Sequence, residues 1–170
     1  MPALRLPQEV ESVLRECFTC EFTTVNRQGQ PLTWPTLPYF HRPAGQIIVT
    51  ASIAFPVKAL NARRHPQVSL LYSDPTGAHL ANPPAVLIQG DSRVFEMDQE
   101  PPPAWASEIL KMSVRRQPDS KKYLRNRVAR RLFLFYYQRL AIIVAPRRIL
   151  VWPQRDFGQA PQEIAVAYVE

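Results

Sequence analysis

Residues 46 to 73 constrain this chain most, because they read as a strand, a tight loop, a short helix and a second strand. Ile47, Ile48 and Val49 form a β-branched run that gives way to the small residues Thr50, Ala51 and Ser52. Pro56 falls where a first helical turn begins, a position at which proline's missing N–H and fixed φ do no harm. Val57 and Leu60 repeat at helical spacing, and Pro66 stops the helix ahead of the strand Gln67 to Tyr72. Lys58 lies in the first turn of that helix, where the macrodipole makes a cation locally unfavourable. Its presence makes sense if an anion sits on the helix N-terminus, met by free backbone N–H groups and the lysine together. The alternative is a lysine on a solvated surface.

The rest of the chain supplies more short strands. Residues 7 to 17 are helical, with Val10, Val13, Leu14 and Cys17 on one face. Residues 18 to 26 and 32 to 40 read as strands joined by the turn Asn26 to Gln30, and Gly45 opens the next. Ala85 to Phe95 is a long strand with Gly90 near its middle, the mark of a bulge or barrel bend. Residues 103 to 116 and 119 to 134 read as helices, the first with Trp105, Ile109 and Met112 on one face. Leu140 to Val144 and Arg148 to Trp152 are the last strands, with a turn at Ala145-Pro146-Arg147. The expectation is a mainly β protein with flanking helices. All 170 residues form one domain, with a basic helical insertion at about 100 to 135.

Several chemistries are excluded. Eighteen prolines against five scattered glycines leave no Gly-rich phosphate loop, which removes Rossmann and P-loop nucleotide binding. Cys17 and Cys20 are the only cysteines, and the three histidines show no ligand spacing, so no zinc site can be assembled. The C-x-x-C lies at a helix-to-strand junction, the reverse of a thioredoxin motif, so both thiols are expected to be reduced. No run approaches the ~18 apolar residues of a membrane span, and no apolar signal region opens the chain. A cytoplasmic protein is expected. The net charge is +7, and residues 111 to 131 hold nine cations against Asp119 alone. This reads as a solvated basic helix. With only Tyr123 among the charges, no base-stacking platform and no nucleic-acid partner are expected.

Certain motifs then recur in an informative order. They are Gly29-Gln30-Pro31, Thr33-Trp34-Pro35-Thr36, Gly45 to Thr50, Lys58, His65 to Leu71, Gln89-Gly90 and Pro146 to Trp152. In that order and spacing the chain resembles the flavin-binding split β-barrel family. That family includes pyridoxamine 5′-phosphate oxidase and the flavin- and deazaflavin-dependent reductases. The resemblance covers residues 10 to 96 and 139 to 155. It implies a six- to seven-stranded antiparallel split β-barrel and a homodimer with cofactor sites at the subunit interface. FMN is the implied cofactor, with a deazaflavin as the alternative. Trp34, Pro35, Thr36 and Leu37 would lie along the ring system. Thr50, Ser52 and Lys58 would take the phosphate, Val57 would adjoin them at the cofactor site, and Gln89 and Trp152 of the second subunit would close the site.

The chain also departs from the family pattern. Val57 stands where many members carry an arginine before the lysine, and Trp34 where the oxidases carry another. No histidine follows Trp152 in Pro153 to Gly158, which argues against pyridoxamine phosphate oxidation itself. Two readings remain open. One is an oxidoreductase passing a hydride to or from a small molecule, with the cofactor supplying the chemistry. The other is a flavin- or ligand-binding module without turnover.

Overall fold

The structure is a computed structural model that describes residues 3–96, 104–116 and 139–169. The N-terminal strand β1 (Ala3–Arg5) precedes the helix α1 (Gln8–Glu16). The strands β2 (Cys20–Val25), β3 (Pro31–Thr36), β4 (Pro38–His41) and β5 (Gln46–Ser52) follow. Then come α2 (Val57–Arg64), β6 (Gln67–Tyr72), β7 (Ala85–Glu96) and α3 (Ala104–Arg116). The chain closes on β8 (Arg139–Trp152), β9 (Gln162–Ile164) and β10 (Ala167–Val169).

Among the described residues the strands form an antiparallel sheet in the order β3-β2-β6-β7-β8-β5-β4, with β9 added to β8. The two ends of that order, β3 and β4, are consecutive in the chain and separated by Leu37 alone. The sheet therefore curls until its ends meet, and a covalent corner rather than a ladder joins them. This is a barrel left split, as expected. Residues 32 to 40 do not form one strand. The segment pairs with β2 up to Thr36 and with β5 from Pro38, changing partners at Leu37.

The interior follows the period-2 alternation of the strands. Phe22 from β2, Leu70 from β6, Ile88 from β7 and Ile149 from β8 are fully buried, and Val10, Val13 and Leu14 of α1 cap the same core. Each such side chain contributes about 1.5–3 kcal/mol on leaving water. A second small cluster forms where Ile109 of α3 packs with Ile48 and Ala141, flanked by Trp105 against Phe95. The face read for this helix is the one it buries. For α2 the buried residues are Ala59, Asn61 and Ala62, whereas Val57 and Leu60 remain exposed. The apolar stripe read there points outward.

The turn read at Ala145-Pro146-Arg147 is instead part of one continuous strand. β7 and β8 pair along their whole lengths, with a register shift at Gln89/Gly90. Gln89 faces Arg148 and Gly90 faces Pro146, so Arg147 is the extra residue of a β-bulge. Pro146 has no N–H to give the ladder, which explains why the irregularity falls there. Gly90 permits it, since a Cβ at this position would lie 2.3 Å from the Ala145 carbonyl oxygen. Arg147 turns outward and pairs with Asp91 at 2.7 Å.

One cation of the basic segment is an anchor. The guanidinium of Arg116 donates to the carbonyls of Arg15 (3.0 Å) and Pro38 (3.3 Å) and to that of Phe18, and it lies 5.0 Å from the Phe18 ring centroid. It thereby satisfies an open carbonyl near the end of α1 and ties α3 to β4. The helix read at 119 to 134 lies outside the described residues. The pairing of β1 with β10 gave no signal in the sequence.

Gly90→Ala should cost about 1–3 kcal/mol, because the methyl group collides with backbone rather than with a movable side chain. Urea denaturation checks this; an unchanged midpoint would show that the bulge can relax away.

Candidate functional site

Two residues set the head of α2. Ser52 ends β5 and accepts the Ala54 N–H on its hydroxyl (3.2 Å) and the Phe55 N–H on its carbonyl (3.0 Å). Pro56 is the N-cap, and its carbonyl accepts the Leu60 N–H at 2.9 Å. The N–H groups of Val57, Lys58 and Ala59 therefore precede the first intrahelical bond, and no side chain caps them.

Lys58 reaches back across the split and donates from Nζ to Thr36 Oγ1 at 3.1 Å. Thr36 is buried at the end of β3, opposite Cys20. Burial, and then the charge of Arg139, hold the Lys58 ammonium below its usual range; Cys20 opposes this weakly. Arg139 begins β8 directly opposite Ser52, and Thr50 lies two places along the same ladder, opposite Ala141. Two cations and two hydroxyl-bearing residues, Thr36 and Ser52, thus gather at the seam of the barrel. Among the described residues no carboxylate acts on Lys58.

The remaining expected residues divide into two groups. Trp34 is half-buried on β3 opposite Phe22, on the same strand face as Thr36. Pro35 is exposed and Leu37 forms the corner, so both flank the seam. Val57 is half exposed and offers only its backbone N–H to the site. Ile53 (40%), Phe55 (72%) and Leu60 (45%) are exposed with it, leaving an apolar rim around the α2 terminus. Gln89 and Trp152 lie elsewhere. Gln89 is on the outer sheet face between Ser69 and Arg148, lining a groove of about 440 Å³. Trp152 packs on Phe157 at 5.3 Å and donates to the Gln159 carbonyl. Within one chain neither makes a contact with the Lys58 group.

Arg139 was missed in the sequence because it lies one residue before the apolar run that marks its strand. Its place opposite Ser52 depends on ladder register, which composition does not reveal. The cysteines behave as read. Both are free and buried, and burial pushes their thiols up, away from a reactive thiolate. Among the described residues no group of His, Cys, Asp or Glu could hold a metal ion, and no helix is long and apolar enough to cross a membrane.

The fold has counterparts among solved structures. The chain is similar to an F420 reductase (TM-score 0.56, 16% identity, covering 85% of this chain and 98% of that one). It is similar to HutZ, the heme storage protein of Vibrio cholerae (0.56, 20%, 87% and 95%). It is also similar to General Stress Protein 26 of Bacillus anthracis (0.55, 13%, 94% and 97%). These are split-barrel folds, and the likeness is one of fold. No family model matches the chain, nor does any curated protein.

If Arg139 depresses Lys58, Arg139→Gln should move the Lys58 titration upward toward 10.5. Side-chain NMR of the lysine Cε and Nζ follows this directly. A titration that stays put would mean that burial alone sets it.

Proposed function

We propose that this chain binds FMN at the seam between β3, α2 and β8 and acts as an oxidoreductase on a small molecule. The single observation that supports it is the Lys58–Thr36 hydrogen bond at the open end of α2, with Arg139 beside it. The donor set fits a phosphate, since it combines an ammonium, a guanidinium, hydroxyls and free helix N–H groups. Thr36, Ser52 and Lys58 hold the phosphate, with Arg139 in the place of the cation that Val57 does not supply. Trp34, Pro35 and Leu37 line the ring. When bound, the flavin supplies hydride transfer, and the protein's part is to orient it and exclude water.

The apolar rim formed by Ile53, Phe55 and Val57 supports a covered site, which a second copy of the chain provides in a homodimer. Gln89 and Trp152 of that copy then approach the ring. A deazaflavin is the second reading. The F420 reductase neighbour favours it, and the same phosphate donors serve it.

Lys58→Ala should weaken FMN by about 10- to 150-fold, the loss of one charge-assisted contact of about 1.5–3 kcal/mol. Riboflavin, which has no phosphate, should bind wild type and variant alike. Flavin-fluorescence titration of both ligands decides it. Equal weakening for both, or none for FMN, would take Lys58 off the phosphate and leave it a structural partner of Thr36. Sedimentation at micromolar concentration should show a dimer; a monomer carrying bound FMN would remove the role given to Gln89 and Trp152.

A further inference from the structure

A second cation-lined hollow lies between the C-terminal end of α1, β4 and α3. Its volume is about 400 Å³, within the size range of small-molecule sites. Glu108, Lys111 and Arg115 fall at i, i+3 and i+7 on α3, so one helix face presents them to the hollow. Arg15 from α1 and Arg116 complete it, and Tyr39 of β4 forms the opposite wall.

Four cations therefore meet one carboxylate, and that carboxylate is engaged. The Tyr39 hydroxyl donates to Glu108 Oε2 at 3.2 Å. Among the described residues the one ion-pair partner of Arg15 is loose, Glu11 at 3.9 Å, whose carboxylate Arg42 holds at 2.9 Å. Lys111 and Arg115 are like charges at i, i+4, an arrangement that disfavours the helix. Arg116 is half-buried, spends its terminal nitrogens on neutral carbonyls, and has an Nε with no partner among the described residues. Among those residues no carboxylate forms an ion pair with Lys111, Arg115 or Arg116. Such a concentration of charge around a concavity carries a standing electrostatic cost, which an anion in the hollow removes.

We propose that this hollow is a binding site for a small organic phosphate, held by Lys111 and Arg115 of α3 against Arg15 of α1, with Arg116 fixing the floor through its backbone contacts. Donors converge from two helices on opposite walls, which suits a tetrahedral dianion better than a planar carboxylate clamped from one side. Glu108 and Tyr39 are left to meet a hydroxyl or amine on the ligand's organic part. The site is separate from the Lys58 group and does not rest on the flavin reading.

Isothermal titration of the full chain with inorganic pyrophosphate at low salt tests it. Wild type should bind saturably; Lys58→Ala removes any equivalent taken at α2 and should leave one equivalent, the one at this hollow. Lys111→Gln/Arg115→Gln should weaken binding by at least about 100-fold, since two charge-assisted contacts are lost. Arg115→Gln alone, on an exposed side chain, should weaken it about 10-fold and covers the case in which the double variant does not fold. The proposal is overturned by an absence of saturable binding, by equal binding to the α3 variants, or by loss on Lys58→Ala, which would assign the ligand to α2. A short DNA duplex that binds where pyrophosphate does not would overturn it too, in favour of a macromolecular partner.

Discussion

The rest of the fold depends on the close backbone approach between Gly90 and Ala145. β7 and β8 are the longest strands and form the spine to which β6 and β5 attach on either side. A spine of twelve and fourteen residues must bend to curl into a barrel, and the extra residue at Arg147 provides the bend. The bend in turn sets which way the ends of the sheet travel, and so brings β3 and β4 to one corner. Without a glycine at 90 the two backbones could not come together at that point.

From that curvature the candidate site follows. Thr36 is the last residue before the corner, Ser52 the last residue of β5, and Arg139 the first of β8. Three strand ends meet there, and strand ends have backbone and side chains not committed to a ladder. Lys58 arrives from α2 because the turn at Ser52 is short, which directs the helix back over the seam. The cation cluster is thus a product of topology, which brings Thr36 and Arg139 from distant strands to the short segment between Ser52 and Lys58.

Much of this was legible in the residues, and the failures have physical causes. The strands at 18 to 26 and Gln67 to Tyr72, the helical period of α1 and the meaning of Gly90 are local signals, and the structure bears them out. Pro146 misled because proline in a sequence marks turns and bulges alike; only the partner strand distinguishes them. The outward stripe on α2 misled because apolar spacing reports a helix but not which side is covered. Lys58 was legible through the conflict between its charge and the helix dipole. Arg139 and the anchoring role of Arg116 were not, because both depend on long-range register and packing.

The corner at Leu37 has one further consequence. A hydrogen-bonded closure would distribute the joining of the two sheet ends over several residues, whereas here a single peptide link carries it. Thr36 stands directly beside that link and is hydrogen-bonded to Lys58. The anion proposed for Lys58 would also brace α2 against the point where the sheet ends meet, and its occupancy and barrel integrity would then be thermodynamically linked. At a ligand concentration one hundred times its dissociation constant, the linkage amounts to about 2.7 kcal/mol. With that anion bound, the seam would act as a clasp whose strength is set by solution composition as well as by sequence.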